Sequence, residues 1–126
     1  IKVGLVPDSG STFTLPRLVG MSRAMEIACT GRKVGAEEAL QIGLVNKVVP
    51  DDELSAATMQ WAGELASLPT RAIALTKQAF ARSWTADLED QLEYEALQQT
   101  TAGKTEDHHE GVRAFLEKRK PRFKGR

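Results

Sequence analysis

Along the first fifty residues the apolar positions come in short runs separated by glycines and prolines. Beyond residue 51 they recur every three to four residues. The first regime predicts short mixed elements and the second predicts helix. Ile1 to Val6 reads as a strand that Pro7 stops. Phe13, Leu15, Leu18 and Val19 then form one apolar surface of a helix over residues 11–19, where Pro16 would strain the interior so that two short helical turns are an alternative. Gly20 closes that helix. Ser22 is placed to cap the next, in which Met21, Met25 and Ala28 share a face before Gly31 ends it. A third short helix spans residues 36–41, with acids in its first turn that favour the helix dipole. The β-branched run Leu44 to Val49 reads as a second strand, ended by Pro50.

Four helices follow. Asp51 or Asp52 caps the first, whose stripe is Leu54, Ala57, Trp61 and Leu65; Pro69 blocks its continuation. Thr70 caps the second, with Ile73, Thr76, Phe80 and Trp84 as its inner face. Thr85 caps a longer helix carrying Leu88, Leu92, Ala96 and Gln99 that stops near Gly103. Thr105 begins the last, with Val112, Phe115 and Leu116 on its apolar face and Pro121 at its end. The fold class is therefore mostly α. Two short strands so far apart do not make a stable sheet alone. The chain also starts at Ile1 inside an apolar strand pattern, so these residues are expected to be the C-terminal part of something longer.

Composition narrows the class. The 126 residues, 41% hydrophobic and 27% charged, are those of a soluble globular domain. No apolar run approaches the ~18 residues that cross a bilayer, and the start lacks the basic and apolar regions of a secretory signal. Cys29 is alone, which excludes an internal disulfide and a thiolate metal cluster. Flanked by Ile27, Ala28 and Thr30, it is expected to be a buried structural thiol in a reducing, cytoplasmic setting. The 17 basic and 17 acidic side chains balance, so nucleic acid is not an expected partner. The imbalance is local: residues 117–126 carry six basic groups against one acid and read as a solvated end.

Candidate chemistry reduces to two places. His108 and His109 are adjacent on a helix, about 100° apart, without a third ligand at zinc spacing, so no metal site is expected. The glycines form no G-x-G-x-x-G after a strand, and no Gly-x-Ser-x-Gly elbow occurs. Trp61, Phe80 and Trp84 fall at helical spacing and read as core or subunit interface. What remains is Asp8, an acid delivered by the apolar run and Pro7 into a turn of Ser9, Gly10 and Ser11. It is either a turn former and cap or a catalytic carboxylate. The other place is the basic end interleaved with Phe115 and Phe123, which suits a phosphorylated aromatic ligand.

Gly4-Leu5-Val6-Pro7-Asp8-Ser9-Gly10-Ser11-Thr12, followed by Leu15-Pro16-Arg17-Leu18-Val19-Gly20, resembles the crotonase, or enoyl-CoA hydratase/isomerase, superfamily. So do Ala24-Met25-Glu26, Thr30-Gly31-Arg32, Ala36-Glu37-Glu38-Ala39, Gly43-Leu44-Val45 and the close Glu110-Gly111-Val112-Arg113-Ala114-Phe115-Leu116-Glu117-Lys118-Arg119. The resemblance runs through the whole chain in order. It implies an α/β spiral of β-β-α turns when full length, with residues 1–50 ending the spiral core and residues 51–126 forming a helical oligomerisation region. That region builds a homotrimer or a dimer of trimers. No prosthetic group is implied; the substrate is carried as a coenzyme A thioester. The family's oxyanion hole comes from two backbone N–H groups in earlier spiral turns, outside these residues, so the piece alone is expected to be inactive.

The resemblance also assigns roles. Hydratases use two glutamates, one aligned just before Ile1 and one further upstream, and usually carry a small residue where Asp8 stands. An acid there is similar to the isomerase branch, closest to the ring-epoxide isomerase of phenylacetate breakdown. Asp8 would then be the general acid/base, whereas dehalogenase relatives use the matching Asp as a nucleophile. Phe115 and Lys118 match contacts to the adenine part and the ribose phosphate of coenzyme A. The readings carried forward are an acyl-CoA isomerase, a hydratase with upstream glutamates, and a non-catalytic oligomerising fragment.

Overall fold

The structure, a computed structural model, describes all 126 residues and contains seven α-helices and no strand. The chain divides into two compact units, Ile1–Leu54 and Ser55–Arg126. The first holds α1 (Ser11–Val19), α2 (Met21–Thr30) and α3 (Ala36–Gln41), and ends in a 3-10 turn over Asp51–Glu53. The second is built from α4 (Leu54–Ala66), α5 (Thr70–Ser83), α6 (Leu88–Gly103) and α7 (Glu106–Leu116). No helix is long and apolar enough to cross a membrane.

Neither expected strand forms, and local hydrogen bonding shows why. Ile1 to Gly4 closes a turn, the Gly4 amide donating to the Ile1 carbonyl at 2.9 Å with Gly4 at φ 78°, which no strand allows. Leu44 and Val45 spend their amides on the Ala39 carbonyl, at 2.8 and 3.3 Å, capping α3 instead of joining a ladder. Extended backbone elsewhere in these runs has no neighbouring strand in the chain to pair with.

In the first unit α1 packs on α2 through Gly20, whose φ of 81° turns the chain between them. Its amide donates to the Pro16 carbonyl and its carbonyl accepts from Ala24, both at 3.0 Å. Gly20 and not Ser22 therefore stands at the α2 N-cap. α1 runs unbroken through Pro16. Val19, Ala24 and Ala39 are buried here. Arg32 joins α2 to α3: its Nη atoms donate to both Glu38 oxygens at 2.8 and 2.7 Å, and its Nε to Glu26 at 2.7 Å. That fork holds the Glu38 carboxyl below its ordinary range.

The second unit corrects the expected apolar faces. α5 meets α6 through Ala72, Leu75 and Ala79, while Thr76, Phe80 and Trp84 of the expected inner face are exposed, Phe80 to 70%. α6 answers with Gln91 and Gln98. Gln91 Nε2 donates to the Ala79 carbonyl at 3.1 Å, and Gln98 Nε2 to Gln78 at 3.2 Å and to the Tyr94 hydroxyl at 2.6 Å. Leu88, 75% exposed, and Leu92 point away. Small residues on α5 let the helices close, and the glutamine amides donate to Gln78 and to the Ala79 carbonyl, while Gln91 Oε1 is buried without a partner. Along α4, Leu54, Trp61 and Leu65 are exposed, so Trp61, Phe80 and Trp84 are not core in this chain. Cys29 is exposed as well, because only Ala24 of α2 turns fully inward. Capping follows the same lesson. Asp87 rather than Thr85 caps α6, accepting from the Asp90 amide at 2.9 Å. Thr70 is the first residue of α5, where Pro69 takes the cap position. Asp51 and Asp52 lie in the 3-10 turn that leads into α4.

Candidate functional site

Pro7 delivers the chain into a tight turn at residues 8–11. The Ser11 amide donates to the Asp8 carbonyl at 3.0 Å, and the Ser11 hydroxyl donates to the same oxygen at 2.7 Å. Both central residues have positive φ, 54° at Ser9 and 79° at Gly10, the pairing of a type I′ turn. Gly10 accepts that conformation freely; Ser9 is strained in it. Gly10 then starts α1, its carbonyl taking the Phe13 and Thr14 amides at 3.0 Å each. The Asp8 side chain is not the helix cap. It stands exposed, with one donor on one oxygen: the Ser9 hydroxyl, 3.2 Å from Oδ1. A carboxylate held on a rigid turn and left open to solvent can exchange a proton with a ligand brought to it.

The second candidate lies at the C-terminal end of α7. Phe115 is 82% exposed, and Lys118 is exposed at φ 53°. The two are brought together by the turn that ends the helix, in which the Lys118 amide donates to the Phe115 carbonyl at 3.2 Å and the Arg119 amide to the Ala114 carbonyl at 3.0 Å. This pair of bonds is a Schellman ending with Lys118 at the left-handed position. An open aromatic face beside a cation suits a flat, anionic ligand.

The basic end is not a solvated tail. It folds back on α7 and is held there by the first two turns of that helix. Asp107, 2% exposed, accepts the amides of Lys124 at 2.6 Å and Gly125 at 2.8 Å, while its own amide donates to the Arg126 carbonyl at 3.0 Å. Glu110 receives Arg119 in a fork, at 2.6 and 2.9 Å, and the Arg122 amide at 2.9 Å. The Arg119 guanidinium, with that amide, pulls the Glu110 carboxyl down to about 2. Glu106 faces Lys124 and Arg126 more loosely, at 3.9 and 3.3 Å. Phe123 lies over Gly111, and Gly125 sits against Thr70, where a Cβ would meet the hydroxyl at 2.5 Å. Sequence reasoning missed this clamp. The signal available was complementary charge: acids at 106, 107 and 110 opposite a basic run that Pro121 turns back. Thr105 caps α7 as expected, accepting from the His108 amide at 3.1 Å.

Comparison with known proteins places these elements. The sequence profile of the family described as enoyl-CoA hydratase/isomerase matches residues 1–126. The chain is 43% identical over 125 residues to the 1,2-epoxyphenylacetyl-CoA isomerase of Escherichia coli K12, covering 99% of this chain and 48% of that protein. It is 39% identical over 126 residues to the 2,3-dehydroadipyl-CoA hydratase of the same organism, covering 49% of it. Among solved structures, the enoyl-CoA hydratase of Bacillus anthracis superposes with a TM-score of 0.91 at 38% identity, over 99% of this chain and 48% of that one. The chain thus spans about half the length of the curated relatives it matches. Matched from end to end by the profile and by relatives of both chemistries, the chain belongs to the enoyl-CoA hydratase/isomerase family.

Proposed function

We propose that the chain is part of an acyl-CoA isomerase in which Asp8 is the general acid/base. The observation that carries the reading is the Pro7-Asp8-Ser9-Gly10 turn. It spends backbone strain at Ser9 to present an exposed carboxylate that neither caps the helix nor pairs with a cation. A group needed only for the turn would be the backbone carbonyl, which already takes both Ser11 donors. In the reaction the Asp8 carboxylate removes a proton from the acyl chain. The electron pair moves into the thioester as an enolate, and the proton returns at a different carbon or serves ring opening of an epoxide. The similarity to an epoxyphenylacetyl-CoA isomerase supports this chemistry, and we assign it, as part of the same proposal, to phenylacetate or fatty-acid breakdown in the cytoplasm.

Phe115 and Lys118 hold the coenzyme A part, the ring beside adenine and the ammonium toward the ribose phosphate. The oxyanion donors that carry the enolate charge come from outside the 126 residues, so the piece alone is inactive. Exposed apolar side chains on α4, α5 and α6, among them Trp61, Phe80 and Leu92, are covered in a homotrimer or a dimer of trimers. The test is Asp8→Asn in the native assembly, following double-bond migration in a 3-enoyl-CoA. Loss of turnover with coenzyme A binding retained is expected; undiminished turnover overturns the assignment. The hydratase relatives favour a second reading, water addition by glutamates elsewhere, and the same variant separates the two because hydration would survive it.

A further inference from the structure

Two helices in this chain end in the same backbone motif but with different residues at its left-handed position. At the end of α3 that residue is Gly43, φ 76°, with its amide on the Leu40 carbonyl and the Leu44 amide on Ala39. At the end of α7 it is Lys118, φ 53°, in the same bond pattern. Glycine enters this conformation without penalty and lysine does not. Something must hold Lys118 there.

Glu110 is placed to do so. It sits two turns back on α7, 19% exposed at the side chain, and grips the residue after the lysine, both Arg119 Nη atoms reaching its two oxygens. One of those oxygens also takes the Arg122 amide, so a single carboxylate fixes the backbone on the far side of the turn. Arg119 is the residue whose amide closes the motif on Ala114, which is 1% exposed. Three of the neighbouring cations have acidic partners, Arg119 in Glu110 and Glu117 and Lys124 and Arg126 in Glu106, while Lys120 and the Arg122 side chain, like Lys118, have none. Lys118 has no acidic partner and keeps its full charge for a ligand.

We propose that Glu110 is a positioning residue for coenzyme A: by clamping Arg119 and the Arg122 amide it locks the turn that holds Lys118 in the left-handed conformation, and so aims its ammonium at the ligand's phosphate. The proposal rests on the reading of Lys118 as the phosphate contact, and the experiment separates the two. Binding of coenzyme A and of 3′-dephospho-coenzyme A is measured by calorimetry for the native assembly, Lys118→Ala, Glu110→Gln and the double variant. Lys118→Ala is expected to weaken coenzyme A about three- to fivefold, as for an exposed ion pair, and the dephospho form hardly at all. Glu110→Gln does the same, and the double variant is no weaker than either single one, the mark of groups acting through one contact. The Cα shift of 13C-labelled Lys118 moves away from its left-handed value in Glu110→Gln.

Should Lys118→Ala leave coenzyme A binding unchanged, the phosphate contact is wrong and the proposal falls with it. If Lys118→Ala weakens binding but Glu110→Gln does not, or if the two losses multiply, Glu110 is not the positioning group. Arg119→Gln removes the same fork from the other side and carries the same expectations if Glu110→Gln does not fold.

Discussion

Replacing Asp107 by alanine tests whether the C-terminal tail is docked by the carboxylate or merely lies near it. Asp107 accepts two backbone amides, from Lys124 and Gly125, at 2.6 and 2.8 Å, in a site where it is 2% exposed. Each such bond to a charged acceptor contributes about 1.5–3 kcal/mol. The two do not simply add in the variant, because residues 120–126 can lift off and let water take the freed amides. The loss is then bounded by the free energy of docking the tail, and we expect about 2–3 kcal/mol. For a chain of this size that lowers the melting temperature by roughly 10 °C.

Asp107 also sits in the first turn of α7, where an acid favours the helix dipole by about 0.3–1 kcal/mol, and a control must remove that contribution. Glu106→Ala supplies it: Glu106 occupies the same turn but is exposed and reaches only the Lys124 and Arg126 side chains. Its loss should be under about 1 kcal/mol. Hydrogen exchange gives the sharper readout. In Asp107→Ala the Lys124 and Gly125 amides should lose protection while those of α5 and α6 keep theirs; in Glu106→Ala nothing should change at 124 and 125. Equal melting temperatures for the two variants, with the two tail amides still protected in Asp107→Ala, would refute the clamp.

Other consequences follow from the same geometry. Glu110 titrates at about 2 in the folded chain against an ordinary 4.5, and Glu38 is also lowered. Their contribution to stability is therefore complete above the ordinary value and is lost as pH falls from there through the folded one. Denaturant midpoints should decline below about pH 4.5, and Glu110→Gln should flatten that decline. Lys118→Gly should raise stability by about 0.5–1 kcal/mol while weakening coenzyme A binding, a trade readable in one melting curve and one titration. At Gly111 a Cβ would meet Phe123 at an ordinary 3.6 Å, so Gly111→Ala should stabilise α7 by up to about 1 kcal/mol in thermal unfolding. Gly43→Ala, whose Cβ would meet the Leu18 carbonyl at an ordinary 3.8 Å but at φ 76°, should instead cost about 1 kcal/mol.

Helix positions were legible in the sequence to within a few residues, since glycine and proline punctuation acts locally. Gly20, Gly31 and Gly43 each stop what they were expected to stop, whereas α7 ends at Leu116, before Pro121 is reached. The two strands were not, because β-branched composition reports a preference while a strand is made by a partner. At Leu44 and Val45 the amides found a helix end first. The Asp8 turn was legible as a turn, yet only the positive φ at Ser9 separates a strained presentation of the carboxylate from an ordinary cap. Asp107 and Glu110 were hidden for a different reason. Acids at a helix start are expected from the dipole alone, so nothing in their spacing marked two of them as ligands for a distant backbone.

The apolar stripes carry the last step of the argument. Periodicity identifies a helix face but not what the face meets. Leu88 and Leu92 on α6 are a correct stripe on the wrong side of the α5 contact, where Gln91 and Gln98 do the packing. Val112, Phe115 and Leu116 on α7 likewise face out, while Asp107, Glu110, Gly111 and Ala114 meet the tail and the rest of the unit. Apart from Val19 and Leu75, the buried positions are alanines and Asp107, while most of the large leucine, tryptophan and phenylalanine side chains stand exposed. Apolar burial of those exposed side chains is not what holds the unit together. The helical unit is therefore held by polar contacts on one set of faces and leaves its larger apolar side chains exposed on the other.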